Sequence, residues 1–166
     1  MRSQLGKSLR KEFDLKLEKE FSQFNVDKTA IVPSGCKVYV CKIREDFWAF
    51  FVLVISPKDD SFTIEVAWTK NKEFPKYAIT LPNEIPKEGN ARFRLSRLIS
   101  PSSDHWWYLA RKKMLDDDLF ISDEPLENCL KKVSPSVNEA IKQLKNYAIP
   151  YLKEIQKATM QNDFEK

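Results

Sequence analysis

Phe47-Trp48-Ala49-Phe50-Phe51-Val52-Leu53-Val54-Ile55 is an apolar run without a single charge. A membrane span needs about 20 such residues, so the run is too short to cross a bilayer. Its aromatic and β-branched side chains suit a pleated surface packed on both sides, which predicts the central strand of a sheet. The neighbouring segments can then be read by how they border or cover it.

Upstream, residues 37–44 alternate, with Tyr39, Cys41 and Ile43 on one face and Val38, Val40, Lys42 and Arg44 on the other. Downstream, Ser56-Pro57 and the polar turn Lys58-Asp59-Asp60-Ser61 lead into a strand over 62–69. Phe62, Ile64, Val66 and Trp68 take one face of that strand, and Thr63, Glu65, Ala67 and Thr69 the other. Connections this short force antiparallel neighbours. Residues 70–90 hold Pro75, Pro82, Pro86 and Gly89 and read as an excursion around the sheet edge, with a short edge strand over 77–81. A fourth strand is expected over 91–99, with Phe93 and Leu95 opposing Arg92, Arg94 and Ser96.

Both ends of the chain are helical in pattern. Leu5, Leu9, Phe13, Leu17, Phe21 and Phe24 form one stripe of a helix over 3–24. Glu12, Asp14, Glu18 and Glu20 on its polar side speak against a basic membrane-surface helix. Residues 100–125 mix prolines, tryptophans and acids; a short helix or strand is expected over 106–114 and a short helix over 125–132. Ser134-Pro135, or the capping box Ser136 to Glu139, predicts the start of a long helix. Val137, Ile141, Leu144, Ala148, Leu152 and Ile155 keep its period to about residue 157, with a kink at Pro150. Residues 158–166 read as a frayed tail. The expected fold is α+β, a single domain over 1–157. It consists of a four-stranded, mainly antiparallel meander with the N-terminal helix and the long Pro-kinked C-terminal helix on one face. The opposite face is expected either to be covered by residues 100–132 or to be open to a partner.

The chain has 166 residues, 42% of them hydrophobic and 12% aromatic, enough for a core without metals or disulfides. Its net charge of +4 comes from 28 basic and 24 acidic residues, so attraction to an anionic partner needs local clustering. The N-terminal stretch is basic but lacks the apolar core of a secretory signal, and a cytoplasmic protein with no membrane association is expected. Cys36, Cys41 and Cys129 lack zinc-site spacing and read as reduced thiols, with Cys36 and Cys41 on opposite strand faces.

The order of parts is suggestive. An amphipathic helix precedes a meander ending in Phe62-Thr63-Ile64-Glu65-Val66-Ala67-Trp68, with Phe74-Pro75 after it. An Arg92-Phe93-Arg94 strand, Trp106-Trp107 and a final helix with Tyr147-Ala148-Ile149-Pro150-Tyr151 follow. This resembles a group of small bacterial α+β proteins classed as domains of unknown function. The resemblance implies an accessory role in toxin immunity or phage defence and transfers no functional residue.

Chemistry is sparsely marked. His105 is the sole histidine, and no nucleophile turn accompanies it, so no catalytic residue is assigned. Glu65 and Lys70 miss the spacing of metal-dependent nucleases, and Asp116-Asp117-Asp118 misses that of a calcium loop, so no metal is assigned. Three glycines, Gly6, Gly35 and Gly89, offer no phosphate-binding loop, and no cofactor is expected. The candidate binding residues are Trp106, Trp107, Arg92, Arg94 and His105. Adjacent tryptophans in an extended segment point to opposite faces, so one of them faces outward. The expected function is a non-enzymatic protein-binding or adaptor protein with another protein as partner. The alternative is a single-stranded nucleic-acid binder using a basic and aromatic surface.

Overall fold

The computed structural model describes residues 3–56, 58–76, 82, 89–109 and 126–164. The apolar run forms β3 (Phe47–Ile55), flanked by β2 (Lys37–Arg44) and β4 (Ser61–Thr69), both antiparallel to it. β5 (Asn90–Arg94) pairs with β4 from Thr69↔Asn90 to Glu65↔Arg94. The meander is therefore present, but among the described residues the sheet has six strands rather than four. β1 (Asn25–Val26) lines the outer edge of β2, and β6 (Trp107–Tyr108) continues the edge of β4 that β5 begins, opposite Phe62 and Ser61. Two-residue strands carry no periodicity of their own, so the sequence pattern does not reveal them.

The strand expected over 91–99 stops at Arg94, where a 3-10 turn, Leu95–Leu98, begins. The apolar step changes there from two to three: Leu95 is buried and Leu98 packs on the same core. Ser96 ties the detour back to the sheet, donating to the Ser103 carbonyl at 3.0 Å and accepting the His105 amide at 3.3 Å.

Among the described residues, three helices cover one face. α1 (Ser3–Glu20) stops short of the expected residue 24, yet Phe21 and Phe24 stay buried, Phe24 stacked on Phe51 at 4.2 Å. α2 (Leu126–Gln143) runs through Ser134-Pro135, correcting the expected helix start there. Pro135 removes one backbone hydrogen bond, a cost of about 3 kcal/mol inside a helix. The stripe Cys129, Val133, Val137 and Ala140 is buried on both sides of it, and that continuous burial holds the helix together. Ser134 caps nothing and instead donates to Glu12 on α1 at 3.0 Å. A π-helical turn, Leu144–Ala148, links α2 to α3 (Ile149–Phe164), with the Ile149 amide donating to the Leu144 carbonyl. The expected frayed tail is helical as far as Phe164, and Thr159 within it is buried. None of the helices is long and apolar enough to cross a membrane, among the described residues.

The core between helices and sheet takes the odd residues of β3 (Phe47, Ala49, Phe51, Leu53, Ile55) with Tyr39, Ile64, Trp68 and Phe93. The even residues face the other way. Phe50 and Val52 join Val38 and Ala67 in a second, smaller cluster. Among the described residues it is covered by Ala30, Val32 and Phe74 from two loops, and the expected segment 100–132 meets this face beside the cluster, where the His105 carbonyl accepts the Thr63 hydroxyl and Trp106 lies at Arg94. The strand expected over 77–81 lies outside the described residues, as do residues 110–114 of the helix or strand expected over 106–114, of which Trp107–Tyr108 form β6; the helix expected over 125–132 is present from Leu126 as the first part of α2.

Candidate functional site

Trp48 begins the even series of β3, half-buried, with the Lys42 amine 5.7 Å from its ring centre. It is the cross-strand neighbour of Lys42 on β2 and of Thr69 on β4. Phe74 reaches the same face from the loop after β4, its ring edge-on to Phe50 at 5.3 Å. Between them, bordered by the loops over 23–31 and 72–76, lies a groove of about 1180 Å³ with Val40 and Trp48 in its lining.

Arg92 forms part of that lining from β5. Its Nε donates to Glu65 Oε2 at 2.7 Å, both side chains being nearly sealed from water. The guanidinium also lies 4.7 Å from the centre of the Phe74 ring, so one cation fixes both the strand partner and the aromatic wall. Cys36 packs against this side of the sheet. Burial pushes its thiol pKa up, the Glu65 carboxylate adds to the rise and Arg92 opposes it, so the thiol stays protonated and a poor nucleophile. At the rim, Asp27 is held by its own loop, accepting from the Thr29 amide at 2.8 Å and the Thr29 hydroxyl at 2.7 Å.

The residues expected to form a contact surface divide between the two faces. Arg92 and Arg94 share the groove side of β5, and Trp106 comes to Arg94, whose guanidinium lies 5.0 Å from its ring centre. Arg94 is also ion-paired with Asp104. Trp107 points the other way, only 4% exposed and stacked on Phe62 at 5.1 Å. It belongs to the core, as alternation in an extended segment requires of one of the pair. His105 is exposed, with its ring edge-on to Trp107 at 4.7 Å. Its carbonyl accepts the Thr63 hydroxyl at 2.9 Å. Among the described residues no three acidic, histidine or cysteine side chains converge in a way that could hold a metal, and Asp116 to Asp118 lie outside them.

Sequence reasoning found Arg92 but missed Trp48, Phe74 and the lysines around them. The available signal was the even series Trp48, Phe50, Val52 and Val54, which demands a cover; nothing local names the loops that supply it. Compared with family models, curated proteins and solved structures, the chain matches none.

Proposed function

We propose that this chain is a non-enzymatic binding protein, an adaptor that holds another protein against the groove side of its sheet. The observation that carries the reading is the groove itself, an apolar floor with Trp48 and Phe74 beside the buried Arg92–Glu65 pair. Tryptophan and arginine are the side chains that most often anchor protein interfaces. Some of the charged groups around it hold shape: Glu65 is bound by Arg92, Lys42 by Glu45 at 2.8 Å, and Asp27 by its own loop. A setting in toxin immunity or phage defence rests on the family resemblance alone. A second reading, single-stranded nucleic acid, is favoured by the cation–aromatic pairs Lys42 on Trp48 and Arg92 on Phe74.

A photo-crosslinking side chain placed at Ile31, which lines the groove and is 97% exposed, tests the reading in cells. An adduct is expected from that position, reduced about ten-fold by Trp48→Ala and absent from the same probe at the exposed Lys131 of α2. Loss of the adduct to protease supports the adaptor, and loss to nuclease supports the second reading. Adducts that form equally from both positions, or that ignore Trp48→Ala, contradict a binding role for the groove.

A further inference from the structure

The groove is more basic than the chain around it. Of its described lining residues five are basic and two acidic, against 28 and 24 in the whole sequence. Of the five, Lys42 and Arg92 are bound to Glu45 and Glu65. Lys28, from one bordering loop, and Lys72 and Lys76, from the other, are exposed and make no ion pair among the described residues. Free cations therefore stand on both bordering loops of an apolar floor.

Two further features decide between acidic occupants. Val26 and Ile31 line the groove and are 43% and 97% exposed, an apolar border that gains nothing from a sugar-phosphate chain but is desolvated favourably by an apolar side chain. Glu73 sits between Lys72 and Phe74 in the same lining. It repels a ligand with a charge at every unit and tolerates one whose charges are spaced apart.

Resting on the binding reading above, we infer that the groove takes a segment of a partner protein that combines spaced acidic side chains with at least one large apolar side chain. The acids meet Lys28, Lys72 and Lys76, and the apolar side chain lies against Trp48 and Phe74. Attraction of this kind acts mainly on encounter and weakens with salt, while the apolar anchor sets residence.

Fluorescence anisotropy with labelled probes tests it. A peptide repeating Glu-Phe-Glu-Leu is expected to bind more tightly than its Lys-Phe-Lys-Leu counterpart, than oligoglutamate and than oligothymidylate. Lys28→Glu with Lys72→Glu, on exposed loop positions, is expected to weaken that binding about ten-fold, and Trp48→Ala to weaken it at least as much. Lys131→Glu with Lys153→Glu, on exposed helix positions, is expected to leave it unchanged. Tighter binding of oligothymidylate, abolished by the same groove variants, overturns the partner chemistry while leaving the groove a binding site. Equal binding of all probes, or of none, also overturns it, and the crosslinking experiment then reports separately on the groove.

Discussion

Tyr39 carries two jobs on one ring. It packs against Phe13 at 5.6 Å in the core, and its hydroxyl donates to Asp14 at 2.6 Å, where Lys37 also binds. Burial, reinforced by the hydrogen bond to Asp14 and its charge, pushes the phenol pKa well above the usual 10.0. Tyr151, buried against Phe93 and accepting from Trp68 Nε1 at 3.1 Å, is pushed up to about 12, mainly by burial. The folded state therefore keeps these protons at pH values where the unfolded chain releases them. Their contribution to stability is whole below pH 10 and falls as pH rises toward the folded-state values, by about 1.4 kcal/mol per pH unit for each phenol. Urea unfolding between about pH 9 and pH 11 should show the decline, and Tyr39→Phe with Tyr151→Phe should flatten it; an unchanged slope contradicts the assignment. At the same scale, Arg92→Met leaves Glu65 buried and unpaired and should cost about 3–5 kcal/mol. Adding Glu65→Leu should recover most of that loss, and no recovery would mean that Arg92 acts through its other contacts. The alternation of β5 put Arg92 on the polar side of its strand in the sequence, but its partner Glu65 was not legible, because register across the long 70–90 excursion is set by tertiary packing.

Elements were legible where the burial pattern is long and unbroken. β2 and the start of α1 fall where periodicity puts them, and β3 where its continuous apolar run does. α2 did not, because Ser134-Pro135 is a strong local start signal overridden by a stripe of buried residues that spans it. Pro150 illustrates the opposite outcome. Its missing amide removes the i+4 donor to the Asn146 carbonyl, and the π-helical turn Leu144–Ala148 lies just before it, widening the helix as a proline ring requires. Tyr151, Leu152 and Ile155 beyond it are nonetheless buried, so α3 stays on the core past the π-helical turn. Pro150 is itself exposed and contributes little packing. Pro150→Ala should remain folded with stability lowered by no more than about 1 kcal/mol. A larger loss in a thermal melt would mean that the proline ring, and not the stripe alone, positions α3.

At the scale of the molecule, one strand serves two faces. The odd residues of β3 seal the helix layer, while its even residues lie under short loops and open, at Trp48, into the groove. The helix face was legible because three amphipathic helices and the alternate apolar positions of the strands agree on it. The groove was not, since loop residues far apart in sequence build it. Trp48 lines the groove while Trp68 and Trp107 belong to the core, and fluorine NMR of protein labelled with 5-fluorotryptophan reads each of the four tryptophans separately. On adding the Glu-Phe-Glu-Leu peptide, the Trp48 resonance is expected to shift with Trp68 and Trp107 unmoved; a shift confined to Trp106, or no shift at Trp48 at saturating peptide, would contradict Trp48 as the working surface.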